Sequence, residues 1–177
     1  MYLTIIIPVF NEIKTIEILL NKIFQIEEFK KQIIVVDDCS TDGTKNILIK
    51  YYNDKKINNL IFHKKNLGKG AAIKTASTHI LGDVVIIQDA DLEYSPSDYF
   101  KIVNPIFRGE KEVVYGSRVL GKSEHMNFTS NFRVLANYFL TCLTNVLYQQ
   151  KLTDAHTCYK AFKSSLFAKL KLKENDF

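Results

Sequence analysis

Along the first two thirds of the chain the spacing of apolar residues alternates between two periods. Residues 3–9 (LTIIIPV) form a near-continuous apolar run of strand length, as a parallel strand covered on both faces requires. Asn11 is placed to cap the next segment, where Ile16, Leu19, Leu20 and Ile23 recur at i, i+3, i+4 and i+7. Residues 32–36 (QIIVV) predict a second strand, and Thr41-Asp42-Gly43-Thr44 opens a helix running to about Tyr52. A short strand over 60–62, a helix over 71–81 and a strand over 84–88 (VVIIQ) follow. Ser95-Pro96-Ser97-Asp98 reads as a helix start, with serine as cap and proline at the first helical position. Residues 113–115 give a fifth strand.

Strand–helix alternation of this kind predicts an α/β fold with a mostly parallel, doubly wound central sheet flanked by helices. The pattern changes after Gly116. Residues 119–130 are polar and irregular, and then Phe132, Leu135, Ala136, Phe139, Leu140, Leu143 and Leu147 mark one long helix. Residues 159–162 are a candidate return to the sheet. With no repeat, low-complexity tract or linker, residues 1–177 read as one domain with a helical C-terminal part.

Composition narrows the class. A chain of 177 residues, 46% hydrophobic and 24% charged, is neither disordered nor fibrous. The three cysteines, Cys39, Cys142 and Cys158, are too few for a disulfide framework and predict reduced thiols in a cytoplasmic setting. No small-residue cleavage site follows the apolar run at 3–10, so no signal peptide is expected. The stretch 134–147 is broken by Asn137, Thr141, Thr144 and Asn145, and is shorter than the ~20 residues a membrane span needs. The expectation is a soluble domain. Its net charge of +5 is carried by lysine, because Arg108, Arg118 and Arg133 are the only arginines among 24 basic residues. Either a lysine-rich composition or a basic face for phosphates or anionic lipid accounts for that surplus.

The carboxylates are more specific. In open α/β sheets, ligands bind outside the carboxyl ends of the strands. Asp37 and Asp38 end the second strand, Asp89 and Asp91 end the fourth, and Glu12 closely follows the first. Asp89-Ala90-Asp91, read as an extended segment, places two carboxylates on one side. That suits a hard divalent ion, Mg²⁺ or Mn²⁺, sharing its remaining positions with substrate phosphates. Asp38 and Asp42 are better explained as turn and cap residues. Residues 66–71 (NLGKGA) join a strand to a helix with two glycines and Lys69, an arrangement that suits anions, although it has neither P-loop nor dinucleotide spacing. Arg118, Arg133, Asp154, His156 and Lys160 are further candidates. Both arginines suit bidentate phosphate binding or a surface role equally well. Cys158 has an apolar context and no neighbouring base, so it is not read as a nucleophile.

Taken together, IIIPVFNE (5–12), VVDDCSTDGT (35–44), NLGKGAA (66–72), GDVVIIQDADLEYSP (82–96), VVYGSR (113–118) and LTDAHTCYKAF (152–162) resemble the family 2 glycosyltransferases of GT-A (Rossmann-like) fold. The last of these, with Q-D-A-D-L-E, resembles the dolichyl- and polyprenyl-phosphate sugar synthases in particular. The resemblance implies that Pro8, Phe10, Glu12 and Asp37 contact the base and ribose of a nucleoside diphosphate sugar. It puts Lys69 near the base or diphosphate, Ala90 within the donor site, and Asp89, Asp91 and Glu93 on the metal. Arg118 and Arg133 face the donor and acceptor phosphates. Residues 1–118 form the nucleotide-sugar part and 119–177 the acceptor side, in a chain expected to be truncated relative to the family. Phe10 stands where many relatives carry tyrosine, and Cys39 replaces a common glycine.

The implied reaction is a metal-dependent, inverting transfer of one sugar from a GDP-mannose- or UDP-glucose-type donor to a lipid phosphate. The partners are then the donor and a polyprenyl phosphate, with peripheral contact at the cytoplasmic face of a membrane and no nucleic acid. Asp91 and Arg118 would act on the leaving diphosphate, while Asp154 is the carboxylate available as base for a hydroxyl acceptor. Two alternatives stand beside this reading: a family 2 enzyme that extends a glycan hydroxyl, and a non-catalytic nucleotide-sugar-binding module. A nucleotidyltransferase or phosphatase is disfavoured, because D-A-D falls at the fourth strand and no glycine- and arginine-rich N-terminal loop is present.

Overall fold

The computed structural model describes residues 1–117, 119–120, 131–155 and 157–172, with residues 131–134 described by their helical backbone only. Six strands form one sheet: β1 (Tyr2–Val9), β2 (Lys30–Asp37), β3 (Asn59–Phe62), β4 (Val84–Ile87), β5 (Val113–Tyr115) and β6 (Lys160–Lys163). Among the described residues six α-helices accompany them: α1 (Ile16–Phe24), α2 (Thr44–Asn53), α3 (Lys69–Ser77), α4 (Tyr99–Phe107), α5 (Asn131–Tyr148) and α6 (Ser164–Phe167). The sheet order is β3-β2-β1-β4-β6-β5. Strands β1 to β4 pair in parallel, as the alternation predicts. Strand β6 enters antiparallel between β4 and β5, so those two strands run the same way without touching.

The apolar runs sort themselves by the two-residue period of a strand. Leu3, Ile5, Ile7 and Val9 face one layer, where they meet Ile16, Leu19, Leu20 and Ile23 of α1 and Tyr99, Ile102, Val103 and Ile106 of α4. Ile6, Ile34, Val36, Val85 and Ile87 face the other layer, against Ala72 and Ala76 of α3 and Phe167 of α6. Ile5, Ile6 and Ile7 are fully buried, each contributing about 1.5–3 kcal/mol by removal from water. Alanines on α3 let that helix lie close to the sheet.

At the opposite end from the carboxylates, the Thr4 hydroxyl donates to Gln32 Oε1 at 2.8 Å and accepts from the Gly82 amide at 2.9 Å. A Cβ on Gly82 would come within 2.7 Å of the Thr4 nitrogen and the Tyr2 oxygen, so only glycine fits that approach.

Two local expectations are corrected. Asn11 does not cap α1, whose N-cap is Thr15. Asn11 instead adopts φ +56° and accepts from the Thr41 amide at 2.8 Å, tying two loops together. The carbonyl of Glu12 takes the amides of Thr15 and Ile16, which delays the helix. Helix α3 starts at Lys69 rather than residue 71 and stops at Ser77. Helix α5 lies where its periodicity predicts, and its apolar residues from Leu135 onward are largely exposed.

Candidate active site

Strand direction gathers the carboxyl ends of β1 to β5 and the start of β6 on one rim. At the end of β1, Pro8 is half-buried and Phe10 is exposed. Glu12 donates its amide to Thr44 Oγ1 at 2.9 Å, and its Oε2 accepts from the Thr15 hydroxyl at 2.5 Å. Asp37, at the end of β2, is 1% exposed and accepts from both the amide and the hydroxyl of Ser40.

Asp38 is also buried, and its carboxylate holds the glycine loop. It accepts from the Leu67 amide at 2.9 Å and the Gly68 amide at 2.7 Å, with His63 Nδ1 at 2.7 Å. Gly68 itself has φ +88°, a conformation that favours glycine. Asp42 does similar structural duty, accepting from Thr44 and from the Ile13 amide. Burial raises its carboxyl pKa, and the Thr44 and Ile13 bonds outweigh that and lower it. The turn and cap reading of both aspartates accords with these contacts.

Strand β4 ends at Ile87, and the chain turns through Ala90 and Asp91 rather than remaining extended. Ala90 is buried, Leu92 takes φ +66°, and Asp91 Oδ1 accepts from the Glu93 amide at 3.0 Å. The pleat therefore does not put the two carboxylates on one side, as an extended segment would. Asp89 is paired with the ammonium of Lys69, both side chains being mostly buried. Asp91 and Glu93 are exposed. Among the described residues no three His, Cys, Asp or Glu side chains converge as a closed metal cage. The donor set does suit Mg²⁺ or Mn²⁺ in another way: such ions commonly take one or two carboxylates and complete their shell with phosphate and water.

The turn is underpinned by polar groups that sequence reading missed. Gln88 is fully buried, and its Oε1 accepts from the hydroxyls of Tyr99 and Tyr159, each at 3.0 Å. Its Nε2 donates to the carbonyls of Asp89 and Tyr94, and the Tyr159 hydroxyl shares its one proton between Gln88 Oε1 and the Ser95 carbonyl. Burial pushes the Tyr99 and Tyr159 phenols well above their ordinary range. One available signal was a glutamine at the end of an otherwise apolar strand.

Cys158 packs against the apolar core as its context predicts, but the Asp89–Lys69 pair also lies beside its thiol. Burial, and then the charge of Asp89, push its thiol up to about 11, so it is neutral at pH 7 and remains a poor nucleophile. Asp154 is 5% exposed and lines a cleft of about 380 Å³ with Tyr115, Gly116, Lys151 and Thr153. That cleft does not include Lys69, Asp89 or Asp91. Arg118, His156 and the side chain of Arg133 lie outside the described residues, as does the irregular segment 121–130. No described helix is long and apolar enough to cross a membrane.

An α/β sheet with acidic strand ends and a glycine loop on one rim places the molecule among nucleotide-sugar-binding folds of GT-A type. A glucosyl-3-phosphoglycerate synthase from Mycobacterium tuberculosis, solved with Mn²⁺, UDP and glucosyl-3-phosphoglycerate, shares this fold at a TM-score of 0.68. That match is 20% identical and covers 93% of this chain and 57% of the other. A fragment of S. aureus TarS matches at a TM-score of 0.60 and 24% identity, over 94% of this chain and 48% of the other.

The Glycosyl transferase family 2 profile matches residues 4–171, and the chain belongs to that family. It is 31% identical to a dolichyl-phosphate beta-glucosyltransferase of Trichomonas vaginalis, over 82% of this chain and 49% of that protein. It is 32% identical to a UDP-N-acetylglucosamine–dolichyl-phosphate N-acetylglucosaminyltransferase of Methanococcus voltae, over 91% of this chain and 69% of that protein. The chain thus spans about half the length of the first relative and about two thirds of the second.

Proposed function

We propose that the chain is a metal-dependent, inverting glycosyltransferase that moves one sugar from a nucleoside diphosphate sugar to a polyprenyl or dolichyl phosphate. The observation that carries this reading is the meeting of Asp89 and Lys69, with Asp91 two residues on, at the rim where the fold gathers its strand ends. Relatives whose names state a dolichyl-phosphate acceptor support the choice of acceptor. The donor is of GDP-mannose or UDP-glucose type.

In this proposal Pro8, Phe10, Glu12 and Asp37 bind base and ribose, and Lys69, Arg118 and Arg133 bind phosphates. Asp89, Asp91 and Glu93 hold Mg²⁺ or Mn²⁺, with Ala90 forming the floor of the turn. The bound ion supplies positive charge at the diphosphate, where negative charge grows as the sugar leaves. Lys69 and Arg118 add to that stabilisation from the protein. The acceptor phosphate, with a second pKa near ~6, is already largely anionic at pH 7 and needs no strong base. Its oxygen attacks the anomeric carbon opposite the leaving diphosphate, so the centre inverts. Residues 1–118 serve the donor and 119–177 the acceptor.

Peripheral contact at the cytoplasmic face of a membrane belongs to the same proposal. Support comes from the exposed Leu135, Tyr138, Phe139, Val146 and Tyr148 of α5, since apolar and tyrosine side chains suit the lipid interface.

A second reading, transfer to a glycan hydroxyl, is favoured by one observation: Asp154 is a buried carboxylate lining a cleft beside β5. The test is transfer from GDP- and UDP-sugars to polyprenyl phosphate with Mn²⁺, in wild type and variants. Asp91→Asn should lower kcat/KM by about 10²–10³-fold, the scale of losing one transition-state charge stabiliser. Full activity of Asp91→Asn would remove it from the site. Wild type that fails to use polyprenyl phosphate but transfers to a glycan hydroxyl, an activity lost on Asp154→Asn with donor binding intact by isothermal titration, would favour the hydroxyl acceptor.

A further inference from the structure

Before any metal arrives, Asp89 already has a cation. Lys69 Nζ sits on Asp89 Oδ1, with the two side chains only 17% and 12% exposed. The backbone delivers that ammonium. Lys69 is the first residue of α3, directly after Gly68, and the loop leading to it is held by the Asp38 carboxylate through the Leu67 and Gly68 amides. Asp38 is braced in turn by His63 Nδ1 at 2.7 Å, whose Nε2 meets Thr75 Oγ1 at 2.9 Å.

We infer that Lys69 is the resident counter-ion of Asp89, exchanged for the divalent ion when a nucleoside diphosphate binds. This rests on the proposed reading of Asp89 as a metal-binding carboxylate. A mostly buried carboxylate is costly to leave uncompensated, and the ammonium meets that need in the free protein. An ammonium and a divalent cation on the same carboxylate repel each other, so the metal must displace the lysine. Without a nucleotide the displaced ammonium gives up its contact with the Asp89 carboxylate, and metal binding is opposed. With a diphosphate present the ammonium gains anionic oxygens, and metal binding is favoured. Metal and nucleotide therefore bind with positive coupling, which by linkage must be the same measured from either side. Lys69 makes the site selective for the metal–nucleotide pair over the free ion.

The test is titration of the full chain with Mn²⁺ alone, following loss of the free-ion electron paramagnetic resonance signal, and then with UDP or GDP present. Wild type should bind Mn²⁺ weakly alone and about tenfold or more tightly with nucleotide. Lys69→Met should bind Mn²⁺ alone about tenfold more tightly than wild type, and the gain from nucleotide should shrink by a similar factor. Lys69→Arg, which keeps the charge, should behave as wild type, and Lys69→Gln provides a second neutral variant should Lys69→Met misfold. Neutral variants that are folded by circular dichroism yet bind Mn²⁺ alone no better than wild type would overturn the inference. If wild type still shows nucleotide-dependent Mn²⁺ binding in that case, the metal reading survives. If no variant binds Mn²⁺ with or without nucleotide, both fall.

Discussion

Two regions of this molecule handle their side chains in opposite ways. At the carboxyl ends of β1 to β4, buried polar groups are satisfied within the chain: Asp37 by Ser40, Asp38 by the Leu67 and Gly68 amides, Gln88 by two tyrosines. Along α5, Leu135, Tyr138, Phe139, Val146, Leu147 and Tyr148 are each 65% to 76% exposed. The Thr141 and Thr144 hydroxyls donate to carbonyls within that helix, and further bonds run to the segment after it, between Asn145 and Leu152 and from the Ala155 amide to Thr141. The difference teaches that the rim is specified by internal contacts, whereas the character of α5 is directed outward.

The largest expected effect lies beneath the rim. Ile6→Ala, at a fully buried position between the two layers, should cost about 2–5 kcal/mol in urea denaturation. A loss below 1 kcal/mol would mean that the rim does not rest on a close-packed sheet. Next comes the loop anchor. Asp38→Ala removes the acceptor of the Leu67 amide and leaves the Gly68 amide to Asn66 Oδ1 at 3.2 Å, and should cost about 1–3 kcal/mol. It should also weaken nucleotide binding by freeing Lys69, read by isothermal titration.

The buried phenols provide a pH test. Tyr99 and Tyr159 keep their protons in the folded state well above the ordinary value of 10.0, because burial disfavours the phenolate. The unfolded chain releases these protons near pH 10 and the folded one does not, so their stabilisation is complete below pH 10 and falls as pH rises above it. The unfolding free energy should drop above that pH by about 1.4 kcal/mol per pH unit for each withheld proton. Replacing both tyrosines by phenylalanine should flatten that slope. The smallest effect belongs to α5, where Leu135→Ser with Phe139→Ser should change stability by about 0.5 kcal/mol or less. The same pair should reduce co-sedimentation with anionic lipid vesicles, and unchanged co-sedimentation would separate α5 from the proposed membrane contact.

The legible parts of the fold were those decided by local pattern. Strands β1, β2 and β4 are apolar runs buried on both faces, and α1 and α4 show a clear buried stripe. The acidic strand ends were legible for the same reason, since their position follows from strand direction. Pairing across long sequence separations was not. Nothing in residues 160–163 announces an antiparallel strand between β4 and β5, because its neighbours are chosen by the whole sheet. Cys158 looked isolated in sequence, yet that pairing carries it to Asp89. Periodicity identified α5 as a helix but could not say which of its faces the rest of the chain would cover.

The position of β6 also sets an order of assembly. Among the described strands it comes last in the chain, yet β4 and β5 both pair with it. Until residues 160–163 arrive, β4 presents an open edge and β5 has no strand to join. Such distant pairings raise contact order and form late. Tyr159, immediately before β6, then closes its bonds to Gln88 and Ser95 as the strand docks. The rim is therefore completed only when residues 159–163 join it, and a folding chain holds an unfinished site until β6 slides into the sheet.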